Sequence, residues 1–274
     1  MAALTMDGVA IIAGSGALPG HVAAALASAG RPCLLAAPDG VAVDVPGAER
    51  FRIERLLPFL DSLIGRGFGS VVLAGAMTRP RLDPALFDPA TAREVPRLLS
   101  AMQAGDDATL RAVVEVIEEA GLAVLGIEDV APGLIPGPGV LGVVQPGEAD
   151  RRDAARAAEI VAALGAVDVG QGAVVARGLC LAAEALPGTD AMLAVVEALP
   201  EGLRPPGGLL FKAAKPGQER RADLPAVGPD TVRAAARAGL AGVAWKAGGV
   251  ILLDRDEAVA EADRLGLFLW AREP

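Results

Sequence analysis

Three polar clusters interrupt an otherwise apolar chain: Asp168-Val-Gly-Gln-Gly172, Glu184-Ala-Leu-Pro-Gly-Thr-Asp190 and Lys215-Pro-Gly-Gln-Glu-Arg-Arg-Ala-Asp223. Acids and bases set beside Gly and Pro belong to loops at element ends, where reactive side chains are displayed. Lys212, Lys215, Gln218, Arg221 and Asp223 form the densest group, in an irregular stretch held by Pro216, Gly217 and Pro225. Bases that neutralise phosphate oxygens, with one acid to hold a metal or position water, suit pyrophosphate chemistry; a solvated charged loop is the alternative.

Asp168, Gln171, Glu184, Thr189 and Asp190 form a second group. Residues 173–175 and 179–183 read as two strands joined by Ala176-Arg-Gly178, a hairpin that would carry Gln171 and Glu184 to one open end. Converging carboxylates suit a hard divalent cation such as Mg²⁺, which itself binds substrate phosphates. Thr189 serves equally as the N-cap of a helix beginning at Ala191. Glu184 is harder to explain as scaffold, because it closes an apolar strand.

The N-terminal half offers weaker signals. Gly14-Ser15-Gly16 lies at the turn from an apolar strand into an Ala-rich helix, where backbone amides and a helix N-terminus can receive phosphate. The turn ends on Pro19 and lacks the third Gly of a dinucleotide fingerprint, so a structural turn is an equal reading. Arg79 follows the third strand as a phosphate or ribose contact, or as a solvated surface residue. Asp106 and Asp107 stand at a helix start; a cap explains one of them, and Asp107 remains as a substrate contact.

Composition narrows the field. A net charge of −9, aromatic content of 3% and the absence of Tyr argue against nucleic-acid binding, which needs a basic face and stacking groups. His21 is the sole histidine, which excludes multi-His zinc sites and leaves carboxylates as the means of any hydrolysis. Cys33 and Cys180, flanked by aliphatic residues, are expected to be buried and inert. With no secretory signal and no run of about 18 uncharged apolar residues, the cytoplasm is the expected compartment.

These groups need a scaffold, and apolar runs alternating with helical stretches point to an α/β protein of two domains. Residues 1–131 read as a mainly parallel, doubly wound domain. Residues 132–149, dense in Pro and Gly, read as a linker. Residues 150–274 read as a catalytic α/β domain with a mixed sheet, opening on an amphipathic helix from Arg151 to Leu164.

In order, Ile12-Ala-Gly-Ser-Gly-Ala-Leu-Pro19, Arg79-Pro80, Gly105-Asp-Asp107, Asp168 to Val175, Glu184, Gly188-Thr-Asp-Ala-Met-Leu193, Lys215-Pro-Gly-Gln218 and Arg221-Ala-Asp-Leu-Pro225 span essentially the whole chain. With Val227-Gly228 and Ala238-Gly-Leu-Ala-Gly242, the chain resembles the UDP-2,3-diacylglucosamine pyrophosphatase family of lipid A synthesis. The resemblance is to the metal-dependent branch without calcineurin-like motifs. It implies hydrolysis to UMP and 2,3-diacylglucosamine 1-phosphate with Mg²⁺ as activating ion. It also implies a Rossmann-like N-terminal domain, a C-terminal α/β domain, a substrate cleft between them, and a homodimer. Asp223, the acid before Leu-Pro, inherits the role most associated with catalysis. Mg²⁺ held by Asp223 and Glu184, with Lys215 and Arg221 stabilising the leaving phosphate, is the mechanism that follows. Two positions depart from the family pattern: Ala76 where Asn or Lys is frequent, and Glu219 where Asp is common. A bilayer-borne substrate implies transient contact with the inner-membrane surface through apolar residues. A non-catalytic nucleotide-sugar-binding or regulatory module is the competing reading, and an NAD-dependent oxidoreductase is disfavoured by the incomplete fingerprint.

Overall fold

The computed structural model describes residues 7–77, 82–203 and 205–273. The chain divides into two compact units, one of Met1–Pro132 with Glu219–Asp223, the other of Gly133–Gln218 with Leu224–Pro274. The chain therefore leaves the second unit for five residues and returns to it.

The first unit contains β1 (Gly8–Ala13), α1 (Leu18–Ser28), β2 (Cys33–Pro38), β3 (Glu49–Phe51), α2 (Leu56–Gly65), β4 (Phe68–Ala74), α3 (Thr91–Ala104), α4 (Asp106–Glu119), β5 (Ala123–Leu125) and α5 (Ile127–Val130). Its five strands pair in parallel in the order β3-β2-β1-β4-β5. That is the order of doubly wound sheets, in which the direction of strand addition reverses between β1 and β4. β1 is buried at every position, the pattern of a strand covered on both faces. Ala10, Ile12, Val71 and Val124 pack with Phe59, Leu60 and Leu63 of α2 and Val114 and Ile117 of α4. Burying each of the larger aliphatic side chains stabilises the fold by about 1.5–3 kcal/mol.

The second unit contains β6 (Gly139–Leu141), α6 (Glu148–Ala166), β7 (Gly172–Ala176), β8 (Leu179–Ala183), α7 (Gly188–Glu197), β9 (Leu209–Lys212), β10 (Ala226–Val227), α8 (Pro229–Arg237), β11 (Gly242–Lys246), β12 (Ile251–Leu252), α9 (Arg255–Leu265) and β13 (Phe268–Arg272). Six strands form a mixed sheet in the order β6-β13-β11-β9-β7-β8, and β10 pairs with β12 in a separate two-stranded sheet. Alternation sorts the strand residues between two faces. Val174, Leu210, Val243 and Leu269 join a core with α7, α8 and α9. Ala173, Val175, Leu209, Phe211 and Ala244 join another with α6. In α6, Ala154, Ala157, Val161 and Gly165 recur at helical spacing, and Asp150 closes the helix start by accepting from Gly147 N at 2.8 Å.

The expected hairpin is present. Arg177 and Gly178 both take positive φ, 51° and 78°, as a tight two-residue turn between right-twisted strands requires. Two expectations need correction, and some elements went unforeseen. The Pro/Gly-rich stretch read as linker contains β6, which pairs antiparallel with β13, itself unforeseen. Helix α3 also went unforeseen, because its interior Pro96 breaks the local helical signal. Both thiols are exposed. Cys180 lies on edge strand β8, and Cys33 starts β2 ahead of the residues Ala36–Pro38 that pair with β3.

Candidate active site

The carboxyl ends of parallel strands are where open α/β sheets present ligand sites. In the first unit β1 ends at Gly14-Ser15-Gly16, and β4 ends beside it at Gly75-Ala76. Ser15 N donates to Ala76 O at 2.8 Å and Ala76 N to Ser15 O at 3.0 Å, while Gly14 N donates to Ala74 O. Gly75 has φ +94°, and a Cβ there would meet the backbone of Gly14 and Ser15, so the two turns close on each other only with Gly at that place. Ser15 Oγ also donates to Ala76 O, at 3.2 Å. Gly16 N donates to the Asp44 carboxylate at 2.7 Å. The turn thus holds an internal anion, and the amides of Gly14, Ser15 and Gly16 all have partners.

The segment 219–223 is seated on the same unit. Asp107 accepts from Glu219 N at 2.8 Å through one oxygen and from Arg111 Nε at 2.9 Å through the other. It does not cap α4: the N-cap position is Gly105, and no side chain caps the helix there. Arg221 donates to Glu219 through Nε and Nη2, at 2.9 and 2.8 Å, and to Glu118 through Nη1 at 2.7 Å. The hydrogen-bonded Arg221 guanidinium holds the Glu219 carboxyl below its ordinary range, and Glu219 in turn raises Arg221. Arg220 pairs with Glu128 at 3.3 Å, and Ala222 packs against the α2/α4 core. Asp223 N and Ala222 N both donate to Glu219 O at 3.1 Å, so Asp223 follows a closed turn.

In the second unit β8 runs parallel to β9, because each is antiparallel to β7, and β9, β11 and β13 run parallel. Glu184, just past β8, and Lys212, the last residue of β9, therefore reach the same sheet edge. Glu184 N donates to Gly172 O at 2.8 Å, which ties the hairpin's open end. A Cβ on Gly170 or Gly172 would strike Glu184, which explains the Gly-Gln-Gly spelling around Gln171. Glu184 and Lys212 are buried. Lys212 Nζ donates to Thr189 Oγ1 at 2.6 Å and to Ala226 O at 3.3 Å. Thr189 Oγ1 donates to Glu184 Oε2 at 3.1 Å, and the ammonium stands 4.0 Å from that oxygen. Thr189 is thus a bridge between two buried charges and not the cap of α7, which begins at Gly188 with no side-chain cap.

Beyond β9, Lys215 Nζ meets Asp168 Oδ1 at 2.5 Å. Asp168 takes a left-handed backbone, φ 56°, which Asp tolerates better than most residues. Buried Gln218 shapes the loop by accepting from Lys215 N at 2.8 Å. Gln171 Oε1 is buried without a hydrogen-bond partner among the described residues, an acceptor open to a ligand donor or water. Asp190 is exposed in the first turn of α7. Arg79 lies outside the described residues.

The expected groups thus divide between the units: Lys212, Lys215, Glu184, Thr189, Gln171 and Gln218 with the second, Asp107, Arg221 and Asp223 with the first. Asp223 and Glu184, read together as metal ligands, fall on different units. Among the described residues no group of three or more His, Cys, Asp or Glu is gathered as a metal cage. Sequence reasoning passed over Glu118 and Glu128, which carry no local signal. It also passed over Asp153, buried on α6, which accepts from Arg177 N and Gly178 N at 2.8 and 2.7 Å and holds the hairpin turn. Asp153 did leave a signal, one acid on the stripe of Ala157 and Val161 at i+4 spacing.

The sequence profile of the LpxI N-terminal domain matches residues 8–134, and that of the LpxI C-terminal domain matches residues 137–270. The UDP-2,3-diacylglucosamine pyrophosphatase LpxI of Caulobacter vibrioides is 38% identical over 277 residues, an alignment that covers 98% of this chain and 99% of that protein.

Proposed function

Because the chain belongs to the LpxI family, we propose that it hydrolyses the pyrophosphate bond of UDP-2,3-diacylglucosamine, as the name of its Caulobacter relative states of that protein. Water adds to one phosphorus as the bridging P–O bond breaks, and the products are UMP and 2,3-diacylglucosamine 1-phosphate. The observation that carries the reading is the gathering of Lys212, Thr189 and Glu184, with Lys215 beyond, at the carboxyl edge of β8 and β9. Lys215 would exchange the Asp168 carboxylate for phosphate oxygens and offset the charge of the leaving group. Lys212 holds the Thr189 hydroxyl in place and keeps Glu184 charge-compensated. Asp223 is the acid proposed to receive the proton of the attacking water.

Mg²⁺ is the ion of the proposal: it retains waters and needs only one or two carboxylates, so the diphosphate would carry most of it. Asp223 and Glu184 are the carboxylates proposed for it, and Lys212 stands 4.0 Å from Glu184. When bound, the ion would neutralise the bridging phosphates. Transient contact with a membrane surface is part of the proposal. No helix among the described residues is long and apolar enough to cross a bilayer, while Leu186, two residues past Glu184, is 95% exposed.

The test is incubation with the UDP-diacyl sugar in ¹⁸O-water, with Mg²⁺ and with a chelator, followed by mass analysis of both products. UMP should appear with the ion and vanish on chelation, and the labelled product identifies the phosphorus attacked. No UMP with any divalent ion refutes the reading, and undiminished turnover in the chelator refutes the metal. Asp223→Ala should bind substrate without turning it over; a binding module would never have released UMP.

A further inference from the structure

We infer that Arg221 is a positioning residue and not a phosphate ligand: with Asp107, Glu118 and Glu219 it fixes the segment 219–223, and so Asp223, on the N-terminal unit. The inference rests on the reading above that Asp223 takes part in the hydrolysis.

A five-residue excursion from one unit to another has little apolar surface with which to hold itself, and here only Ala222 joins the core. Polar contacts must supply the rest. Glu219 closes the segment on itself: its carboxylate receives Arg221 Nε, Nη2 and the Arg221 amide, and its carbonyl receives the amides of Ala222 and Asp223. The closed turn is then pinned at separate places on α4 and α5, by Asp107 to the Glu219 amide, by Glu118 to Arg221 and by Glu128 to Arg220. The Nε/Nη2 edge of a guanidinium is one of the two edges that match a carboxylate or phosphate in bidentate fashion. In Arg221 that edge is closed by Glu219, and the remaining Nη1 faces Glu118. The raised Arg221 and lowered Glu219 agree with a committed pair.

The experiment compares Arg221→Gln, Arg221→Lys and Glu118→Gln with the parent and with Asp223→Ala, in steady-state hydrolysis of UDP-diacylglucosamine with Mg²⁺ and in hydrogen exchange of residues 219–223. Misplacing a reacting group by about an ångström costs roughly a hundredfold, so Arg221→Gln should lower kcat by about that factor. KM should stay within about twofold, as expected when ground-state binding is not what was lost. Exchange of 219–223 should rise in Arg221→Gln and Glu118→Gln alike, and Arg221→Lys should recover part of both readouts. Glu118 is half-exposed and outside the proposed machinery, so it carries the test if Arg221→Gln fails to fold. A raised KM with unchanged kcat and unchanged exchange makes Arg221 a ligand contact and overturns the inference. So does a Glu118→Gln protein identical to the parent. Full turnover by Asp223→Ala removes the reading of Asp223 itself and leaves the segment nothing to position, even where exchange finds it pinned.

Discussion

Lys212 Nζ donates to Thr189 Oγ1 across 2.6 Å from a buried side chain, and the carboxylate balancing its charge, Glu184, is reached chiefly through that hydroxyl. A buried pair of this kind contributes little net stability, yet removing one member leaves a charge stranded away from water.

Lys212→Met should therefore destabilise the second unit by about 3–5 kcal/mol, and Glu184→Gln by a comparable amount, whereas the double substitution should recover most of the loss. Urea unfolding of the three variants decides this. A single Lys212→Met as stable as the parent shows that the pair is not desolvated as described.

Asp153→Ala removes the acceptor of two amides in the β7–β8 turn, whose residues sit at positive φ. Each hydrogen bond to a charged group contributes about 1.5–3 kcal/mol, and a loss of at least that size is expected in the free energy of urea unfolding. Asp153→Asn retains one acceptor oxygen and should fall between. Equal stability of Asp153→Ala and the parent contradicts the role.

Arg233 joins Asp230, Glu257 and Glu261 across α8 and α9, and Glu261 also receives Arg264. Hydrogen bonds from Arg264 and then Arg233 draw the Glu261 carboxyl down from 4.5 to about 2. A depressed carboxylate contributes stability that is full above its unfolded value and is lost as pH falls through its folded value. The parent's advantage over Glu261→Gln should thus be present at pH 6 and shrink progressively between about pH 4.5 and 2. An advantage that does not change across this window refutes the assignment.

Leu186→Asp should reduce co-sedimentation with phospholipid vesicles by roughly tenfold, since burying a Leu side chain is worth about 1.5–3 kcal/mol. Because Leu186 is 95% exposed, folding stability should move by no more than about 0.5 kcal/mol. Unchanged partition removes Leu186 from the membrane-facing surface.

Much of the architecture was written locally. The hairpin followed from Ala176-Arg-Gly178 between two apolar runs, because the turn demands residues that accept positive φ and the strands demand period-two burial. The alternation of strands and helices in the first half followed from Gly punctuation and uninterrupted apolar strands such as β1, and a parallel sheet buries both faces of each strand. The polar groups at Glu184, Lys212 and Lys215 were legible as candidates because acids and bases at the close of apolar strands have no packing reason to be there.

What only the tertiary structure decided is which of those groups meet and what each is committed to. Arg221 finds Glu118 across 103 positions of sequence, and Asp107 finds the Glu219 amide across 112. Pairings at such separations impose no period and no turn chemistry on the intervening chain. A guanidinium pinned by two acids and one free to bind phosphate are therefore spelled alike. The same holds for β6, hidden in a Pro/Gly-rich stretch and made a strand by its partner β13. It holds too for the passage of residues 219–223 into the first unit: local propensity selects the elements, but long-range pairing of charges and backbone amides selects their company.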